Sequence, residues 1–287
     1  MGERWPQGHL SAFIMKKIIL LILLCLVSLG AEAKKDRTIR ILAIGNSFSV
    51  DAVEQHLHDL AAAEGIDVII GDLYIGGCSL KKHLINATKD KRVYSYRKIG
   101  LDGVKVVTDS VSISDALADE KWDYISFQQA SRFSGMYETW EESLPGLVDY
   151  VKARAPRKAK LMIHQTWAYD QTSTNKGFAN YDGDQVKMYN AIVDAVDRAA
   201  ELVGIDIVIP CGTAIQNARS TVLKDAITRD GQHLHRPNGR YVAACTWFET
   251  VFGRNVVGNP YKPKEMTVEQ QLAAQQSAHA AVMARKR

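Results

Sequence analysis

The sequence has only 4 cysteines in 287 residues, which excludes a disulfide-rich scaffold. No internal repeat, low-complexity tract or Pro/Gly-rich linker interrupts it, so we expect one folded domain. The 36 basic and 32 acidic residues leave a formal net charge of only +4, with no basic stripe. That small excess argues against a nucleic-acid partner. With 46% hydrophobic and 24% charged residues, the composition is typical of a globular protein and excludes a disordered one.

The longest apolar run lies at the amino terminus and is short. It covers residues 18–29, follows two lysines at 16–17 and precedes an Ala-x-Ala pattern that ends at Ala33. These features predict a secretory signal peptide over residues 1–33, with Met15 as an alternative start. A run of twelve residues is too short to cross a bilayer of about 30 Å. We therefore expect an exported protein, periplasmic or secreted, without stable membrane insertion after cleavage; an uncleaved anchor is the alternative.

The remaining chain, residues 34–287, is expected to form a single domain in which strands and helices alternate. Short apolar runs predict five buried strands, at residues 40–45, 67–75, 123–127, 160–164 and 206–210. Apolar residues at helical spacing predict helices at residues 51–64, 144–154, 184–203 and 238–252, and a capping-box pattern at Thr267 starts a last one. Strands separated by helices predict an α/β fold with a five-stranded parallel sheet and helices on both faces.

Two features of this domain are left open by the sequence. Residues 94–107 predict an inserted β-hairpin, because Asp-Gly at 102–103 stands between two β-prone runs, but the sequence does not show whether it lines a cleft or an interface. Cysteines 78, 211 and 245 remain after residue 33, so at least one thiol is free. Cys211 and Cys245 could pair, although we expect these side chains to be small buried hydrophobes.

Ligands of such a sheet bind beyond the carboxyl ends of its strands, so candidate functional residues are those that directly follow the predicted strands. Ser47 comes directly after the first strand and before a helix. A hydroxyl on that turn suits a nucleophile, and its backbone N–H suits an oxyanion donor; a helix-capping serine is the alternative. Gly77, after the second strand, lets a backbone N–H approach a ligand. Gln128 and Gln129, after the third strand, offer amide donors.

Two more candidate residues for the same site lie late in the chain, where Asp230 precedes His233 by three residues. On one loop, the carboxylate can hold the imidazole in one tautomer while the other ring nitrogen faces Ser47. His233 is then a general base. Alternatively, His164, His233 and His235 could form a zinc site, but no carboxylate or cysteine cluster accompanies them.

Three blocks of sequence at these strand ends form a recognisable series. They are Gly45-Asn46-Ser47, Gly77 followed two residues later by Ser79, and Asp230-x-x-His233. In this order they resemble the SGNH (GDSL-like) hydrolase superfamily, over nearly all of the chain after residue 33. The resemblance implies a three-layer, flavodoxin-like α/β/α sandwich and ester hydrolysis through an acyl-enzyme, without a cofactor. It implies that Ser47 is the nucleophile, His233 the base and then the acid, and Asp230 the residue that orients His233.

The resemblance also implies an oxyanion hole, in which the backbone N–H groups of Ser47 and Gly77 supply two donors. The third donor in the superfamily is an asparagine of a Gly-x-Asn-Asp block. This chain departs from that pattern, because residues 127–130 read Phe-Gln-Gln-Ala. We assign the third donor to Gln128, with Gln129 as the competitor.

The substrate is predicted from two aromatic residues, Trp167 and Tyr169, that follow the fourth strand. Aromatic rings above a polar site can stack on sugars, so both are predicted to bind substrate; the alternative is that they cover the sheet edge. Together with export and the resemblance, they favour an O-acetyl ester on a carbohydrate. A lipid acyl ester, a non-catalytic glycan-binding protein on the same fold and a metal-dependent hydrolase are the alternatives.

Overall fold

The computed structural model describes residues 1–2, 37–224 and 227–286. The chain divides into two units, Met1–Arg37 and Thr38–Arg287, and the fold described below is that of the second. The predicted signal peptide, apart from its first two residues, lies outside the described residues. None of the helices in the described ranges has both the length and the hydropathy needed to cross a bilayer.

A seven-stranded sheet forms the centre of the second unit. Its strands are β1 (Ile39–Gly45), β2 (Val68–Tyr74), β3 (Tyr94–Ile99), β4 (Lys105–Val111), β5 (Tyr124–Phe127), β6 (Lys160–His164) and β7 (Ile207–Ile209). Their order is β4-β3-β2-β1-β5-β6-β7. Strands β2, β1, β5, β6 and β7 are parallel, and they are the five predicted strands.

The predicted number of strands is wrong because the hairpin belongs to the same sheet. Strand β3 pairs antiparallel with β2, and β4 pairs antiparallel with β3, so the hairpin extends one edge by two strands. Turn and strand propensities identified the hairpin itself. They did not show that its first strand pairs with a strand more than twenty residues earlier, since such pairing depends on the tertiary fold.

Ten α-helices occur within the described ranges. They are α1 (Ser47–Val53), α2 (Leu57–Ala63), α3 (Leu80–Thr88), α4 (Ile113–Asp119), α5 (Tyr137–Glu141), α6 (Leu144–Lys152), α7 (Gln185–Val203), α8 (Cys211–Ala218), α9 (Gly239–Phe252) and α10 (Val268–Arg285). Helices α1, α2, α8, α9 and α10 pack together as one layer, and α3 to α7 as the other. Because the chain winds from β1 to β2 in one direction and from β5 to β7 in the other, right-handed connections place these layers on opposite faces of the sheet. This confirms the predicted α/β fold.

The predicted helix at residues 51–64 is instead two helices, α1 and α2. Helix α1 begins at Ser47 because the Asn46 side chain accepts a hydrogen bond from the Phe48 N–H, 3.0 Å away. The chain between the helices is held by tertiary contacts. Glu54 forms an ion pair with Arg97 at 3.2 Å, and His56 Nδ1 lies 2.9 Å from the Tyr261 hydroxyl. Helical spacing in the sequence cannot reveal these distant partners.

The cysteines of the second unit are buried and unpaired. Cys78, Cys211 and Cys245 are all free, so the pairing of Cys211 with Cys245 that the sequence left open does not form. Burial raises the pKa of the Cys211 and Cys245 thiols, which keeps them protonated. They act as small hydrophobic side chains.

Two buried histidines make stability depend on pH. Burial lowers the pKa of His83 and of His164 to about 3, whereas an unfolded histidine has a pKa of about 6.5. Between these values the unfolded chain binds protons that the folded chain excludes. The free energy of unfolding is therefore expected to fall as pH drops from about 6.5 towards 3, by at most about 1.4 kcal/mol per pH unit for each histidine. Denaturant titrations at several pH values measure this slope.

A single substitution isolates one of these contributions. His83→Gln removes one titrating group, so its slope between pH 6 and 4 is expected to be shallower than that of the wild type by up to one proton, whatever its overall stability. Equal slopes for the two proteins would contradict a neutral, buried His83.

Candidate active site

Three predicted residues from distant parts of the chain meet at the carboxyl edge of the sheet. Ser47 Oγ lies 2.9 Å from His233 Nε2, and His233 Nδ1 lies 2.7 Å from Asp230 Oδ2. An ionised carboxylate can only accept, so the His233 proton lies on Nδ1 and Nε2 accepts from the Ser47 hydroxyl. The arrangement can withdraw a proton from Ser47 as its oxygen attacks an electrophile.

The carboxylate of Asp230 is held in its ionised form by its hydrogen bonds. Its Oδ1 accepts from the backbone N–H groups of Gln232, at 3.1 Å, and His233, at 2.7 Å. Burial alone would raise the pKa of Asp230, but the hydrogen bonds from His233 and Gln232 outweigh it and lower the pKa below its usual value. The carboxylate therefore fixes both the loop backbone and the tautomer of His233.

Asp51, which sequence reasoning missed, ties the helix of Ser47 to the loop of His233. The side chain is 1% exposed, and its Oδ2 accepts from the Leu234 N–H at 2.7 Å. Its Oδ1 lies 2.5 Å from Arg240 Nη2 and 3.4 Å from Arg229 Nη1. Its position four residues after Ser47 on α1, on the same helix face, is the one signal in the sequence that could have pointed to it.

Two backbone N–H groups predicted as oxyanion donors lie on neighbouring turns. Ser47 is the first residue of α1, where N–H groups have no acceptor within the helix. Gly77 has a φ of +58°, which favours glycine, and its N–H has no acceptor in the parts of the chain that the structure describes. Asn46 joins the two turns, because its Nδ2 donates to the Cys78 carbonyl at 3.0 Å.

The structure corrects the prediction that Gln128 completes the oxyanion hole. The Gln128 side chain is 1% exposed; its Nε2 donates to Asn46 Oδ1 at 2.9 Å and its Oε1 lies 2.7 Å from His164 Nδ1. Gln129, the competitor, is equally buried, with Nε2 donating to Thr139 Oγ1 at 3.0 Å. Both amides serve internal contacts, and Gln128 holds the residue that caps α1.

The aromatic residues predicted to bind substrate are also corrected, because both lie inside the protein. Trp167 is 0% exposed and Tyr169 is 1% exposed. The Trp167 ring stacks on Phe48 at 4.3 Å, and its Nε1 donates to the Gln232 carbonyl at 2.7 Å. The Tyr169 hydroxyl lies 2.8 Å from Ser131 Oγ. Neither ring presents a face to a sugar, and Trp167 instead supports the loop that carries His233.

This support role predicts the behaviour of Trp167→Phe. The substitution keeps an aromatic ring against Phe48 but removes the donor to the Gln232 carbonyl. We expect the free energy of unfolding to fall by about 1–3 kcal/mol and KM for an acetylated sugar to stay unchanged. Denaturant titration and steady-state kinetics measure the two effects. A raised KM with wild-type stability would restore the substrate-stacking role.

The alternative three-histidine metal site does not form. Within residues 37–224 and 227–286, no three His, Cys, Asp or Glu side chains are grouped so that they could hold a metal ion. His164 is buried against Gln128, and both ring nitrogens of His233 have protein partners.

The sequence matches the DUF4886 family, described as a domain of unknown function, over residues 40–281. This chain belongs to the DUF4886 family. A DUF4886 family protein from Bacteroides uniformis ATCC 8492, known from a crystal structure, shares 55% sequence identity with it. The two structures superpose with a TM-score of 0.85, over 86% of this chain and 95% of that one. No curated protein matches the chain.

Two more distant solved structures share the fold of this DUF4886 chain. A protein from Slackia heliotrinireducens, provisionally assigned as an SGNH hydrolase, is 23% identical with a TM-score of 0.51, over 75% of this chain and 99% of that one. A protein from Parabacteroides merdae ATCC 43184, provisionally assigned as a GDSL-like lipase, is 14% identical with a TM-score of 0.51, over 75% and 96% of the two chains. The DUF4886 chain therefore has the fold that its sequence blocks predicted.

Proposed function

We propose that this DUF4886 protein is a serine ester hydrolase. The observation that carries the proposal is the hydrogen-bonded series from Ser47 through His233 to Asp230. The side chains of Ser47 and His233 are partly exposed at the end of the sheet where ligands of this fold class bind. A serine with its own base, a base with its own carboxylate, and nearby N–H donors are the groups that acyl transfer requires.

The reaction follows from these contacts. Ser47 Oγ attacks the ester carbonyl carbon while its proton passes to His233 Nε2, and Asp230 stabilises the resulting imidazolium. The tetrahedral intermediate collapses as His233 gives that proton to the leaving alcohol, which leaves an acyl group on Ser47. Water then attacks the acyl-enzyme with His233 again as base, releasing the carboxylic acid and restoring the serine.

The oxygen that becomes negative in the tetrahedral intermediate needs donors that are already in place. The N–H groups of Ser47 and Gly77 take this role in the proposal. Gly77 suits it because its N–H has no internal acceptor among the described residues. In water-excluded surroundings such donors lower the barrier more than they would in water.

The proposal extends to substrate and location. We propose an O-acetyl ester of a carbohydrate, with a lipid acyl ester as the alternative, and export to the periplasm or the medium. The support is the superfamily resemblance and the signal-peptide pattern at residues 1–33. Trp167 and Tyr169 no longer contribute to this support, because both are buried.

Hydrolysis of matched esters tests the proposed function. We expect purified wild-type protein to hydrolyse p-nitrophenyl acetate faster than p-nitrophenyl octanoate, and to release acetate from an acetylated oligosaccharide. Faster octanoate hydrolysis would favour the lipid alternative. No turnover of any ester, combined with binding of the oligosaccharide, would favour a non-catalytic glycan-binding protein.

A further inference from the structure

The oxyanion hole lacks a side-chain donor once Gln128 and Gln129 are assigned to internal contacts. Both glutamines begin the loop after β5, at the carboxyl edge of the sheet. The same loop continues into a short 3₁₀ helix, Ser131–Phe133, whose central residue is Arg132. Arg132 is exposed and lies four residues beyond the position first assigned to the donor.

The Arg132 side chain reaches back to the turn that carries Gly77. Its Nη1 lies 3.7 Å from the point where a Cβ atom on Gly77 would stand. A guanidinium and a backbone N–H without an internal acceptor therefore meet at one place. Gly77 is one of the two turns of the candidate oxyanion hole, so a cation beside it could stabilise a negatively charged oxygen bound there.

The guanidinium of Arg132 is not committed to another partner. It forms no hydrogen bond and no ion pair with the residues that the structure describes, and its ring contact is with its neighbour Phe133, 4.5 Å from the ring centre. By contrast, Arg229 and Arg240 each form an ion pair with the carboxylate of Asp51. The guanidinium of Arg132 is therefore available to a substrate.

The base of the Arg132 side chain is fixed. The backbone carbonyl of Arg132 accepts hydrogen bonds from Asn180 Nδ2 at 2.9 Å and from the Tyr181 hydroxyl at 3.2 Å. Gly177 packs so closely that an added Cβ there would clash with Arg132 Cβ. These contacts hold the backbone and the Cβ of Arg132 in one place, at the start of the side chain that reaches the Gly77 turn.

We propose that Arg132 is a catalytic residue that supplies the third oxyanion donor, in the role first assigned to Gln128. This inference rests on the proposed ester hydrolysis. The guanidinium binds the carbonyl oxygen weakly while it is neutral and strongly once it carries the negative charge of the tetrahedral intermediate. It therefore stabilises the transition state more than the bound substrate, and acts on kcat rather than on KM.

Arg132→Gln tests the assignment, with Arg154→Gln as the matched control. Arg154 also lies over an adjacent aromatic ring, 3.7 Å from the centre of Tyr150, but precedes β6 at the opposite edge of the sheet. For p-nitrophenyl acetate we expect Arg132→Gln to lower kcat by about 100-fold or more with little change in KM, and Arg154→Gln to behave as the wild type. Added guanidinium ion is expected to restore part of the activity of Arg132→Ala.

A neutral fluorophosphonate that phosphonylates Ser47 gives a second readout, because its phosphoryl oxygen occupies the same hole. We expect slower labelling of Arg132→Gln than of the wild type. Wild-type rates of both hydrolysis and labelling in this variant would overturn the assignment and leave the proposed function standing. A rise in KM confined to negatively charged esters would also overturn it, since Arg132 would then recognise the substrate. A wild-type protein that neither turns over nor is labelled would overturn both proposals.

Discussion

Ser47→Ala is expected to lower kcat for ester hydrolysis by about 10⁴- to 10⁶-fold, because no other side chain takes over nucleophilic attack. The fold should stay intact, since the cap of α1 is Asn46 rather than Ser47. We expect the free energy of unfolding to change by no more than about 0.5 kcal/mol, as is usual for a small change at a partly exposed position. Steady-state kinetics and denaturant titration measure the two quantities.

The losses of activity at Ser47 and His233 are expected to be non-additive. His233→Ala is expected to lower kcat about as far as Ser47→Ala, and the double variant no further, because the two residues act as one unit. If the fold-loss of kcat in the double variant equalled the product of the two single fold-losses, Ser47 and His233 would act independently. Unaltered turnover in Ser47→Ala would place the chemistry at another site.

Asp51→Ala is expected to have the largest effect on stability. It leaves Arg240, whose side chain is only 13% exposed, without the carboxylate 2.5 Å away. Removing one member of a buried ion pair costs about 3–5 kcal/mol. The Leu234 N–H also loses its acceptor, so the loop of His233 loosens and kcat should fall. Denaturant titration and steady-state kinetics on the same preparation test both effects.

Asp51→Asn provides the matched control. The amide keeps the shape of the carboxylate and can still accept from the Leu234 N–H, but it carries no charge for Arg240. We expect a smaller loss of stability and a smaller loss of kcat than in Asp51→Ala. Equal stability of wild type and Asp51→Ala would contradict the inference that Asp51 ties the helix of Ser47 to the loop of His233.

The sequence was sufficient where local pattern determines structure. The five parallel strands follow from apolar runs, and β6 matches its predicted residues 160–164. Once those strands are parallel, their carboxyl ends share one edge, which explains how Ser47 and His233 could be predicted to meet across 186 positions of sequence. The three-residue spacing of Asp230 and His233 on one loop predicted that the carboxylate would contact the imidazole.

The sequence was insufficient where an outcome depends on which way a side chain packs. Trp167 and Tyr169 follow a strand at the expected edge, but they pack inward, where Phe48 and Ser131 receive them. An amide such as Gln128 fits an oxyanion hole and a buried hydrogen bond equally well by residue type. Nothing in the local pattern distinguishes Arg132 from an ordinary surface arginine, because its significance lies in its distance to Gly77.

Trapping the acyl-enzyme shows whether Ser47 is the nucleophile. Wild-type protein mixed with p-nitrophenyl acetate, quenched in acid within the first turnovers and digested, can be examined by mass spectrometry. We expect one acetyl group on the peptide that contains Ser47, and none on that peptide in Ser47→Ala. Turnover without acetylation of Ser47, or an acetyl group that forms and hydrolyses on another residue, would contradict this role of Ser47.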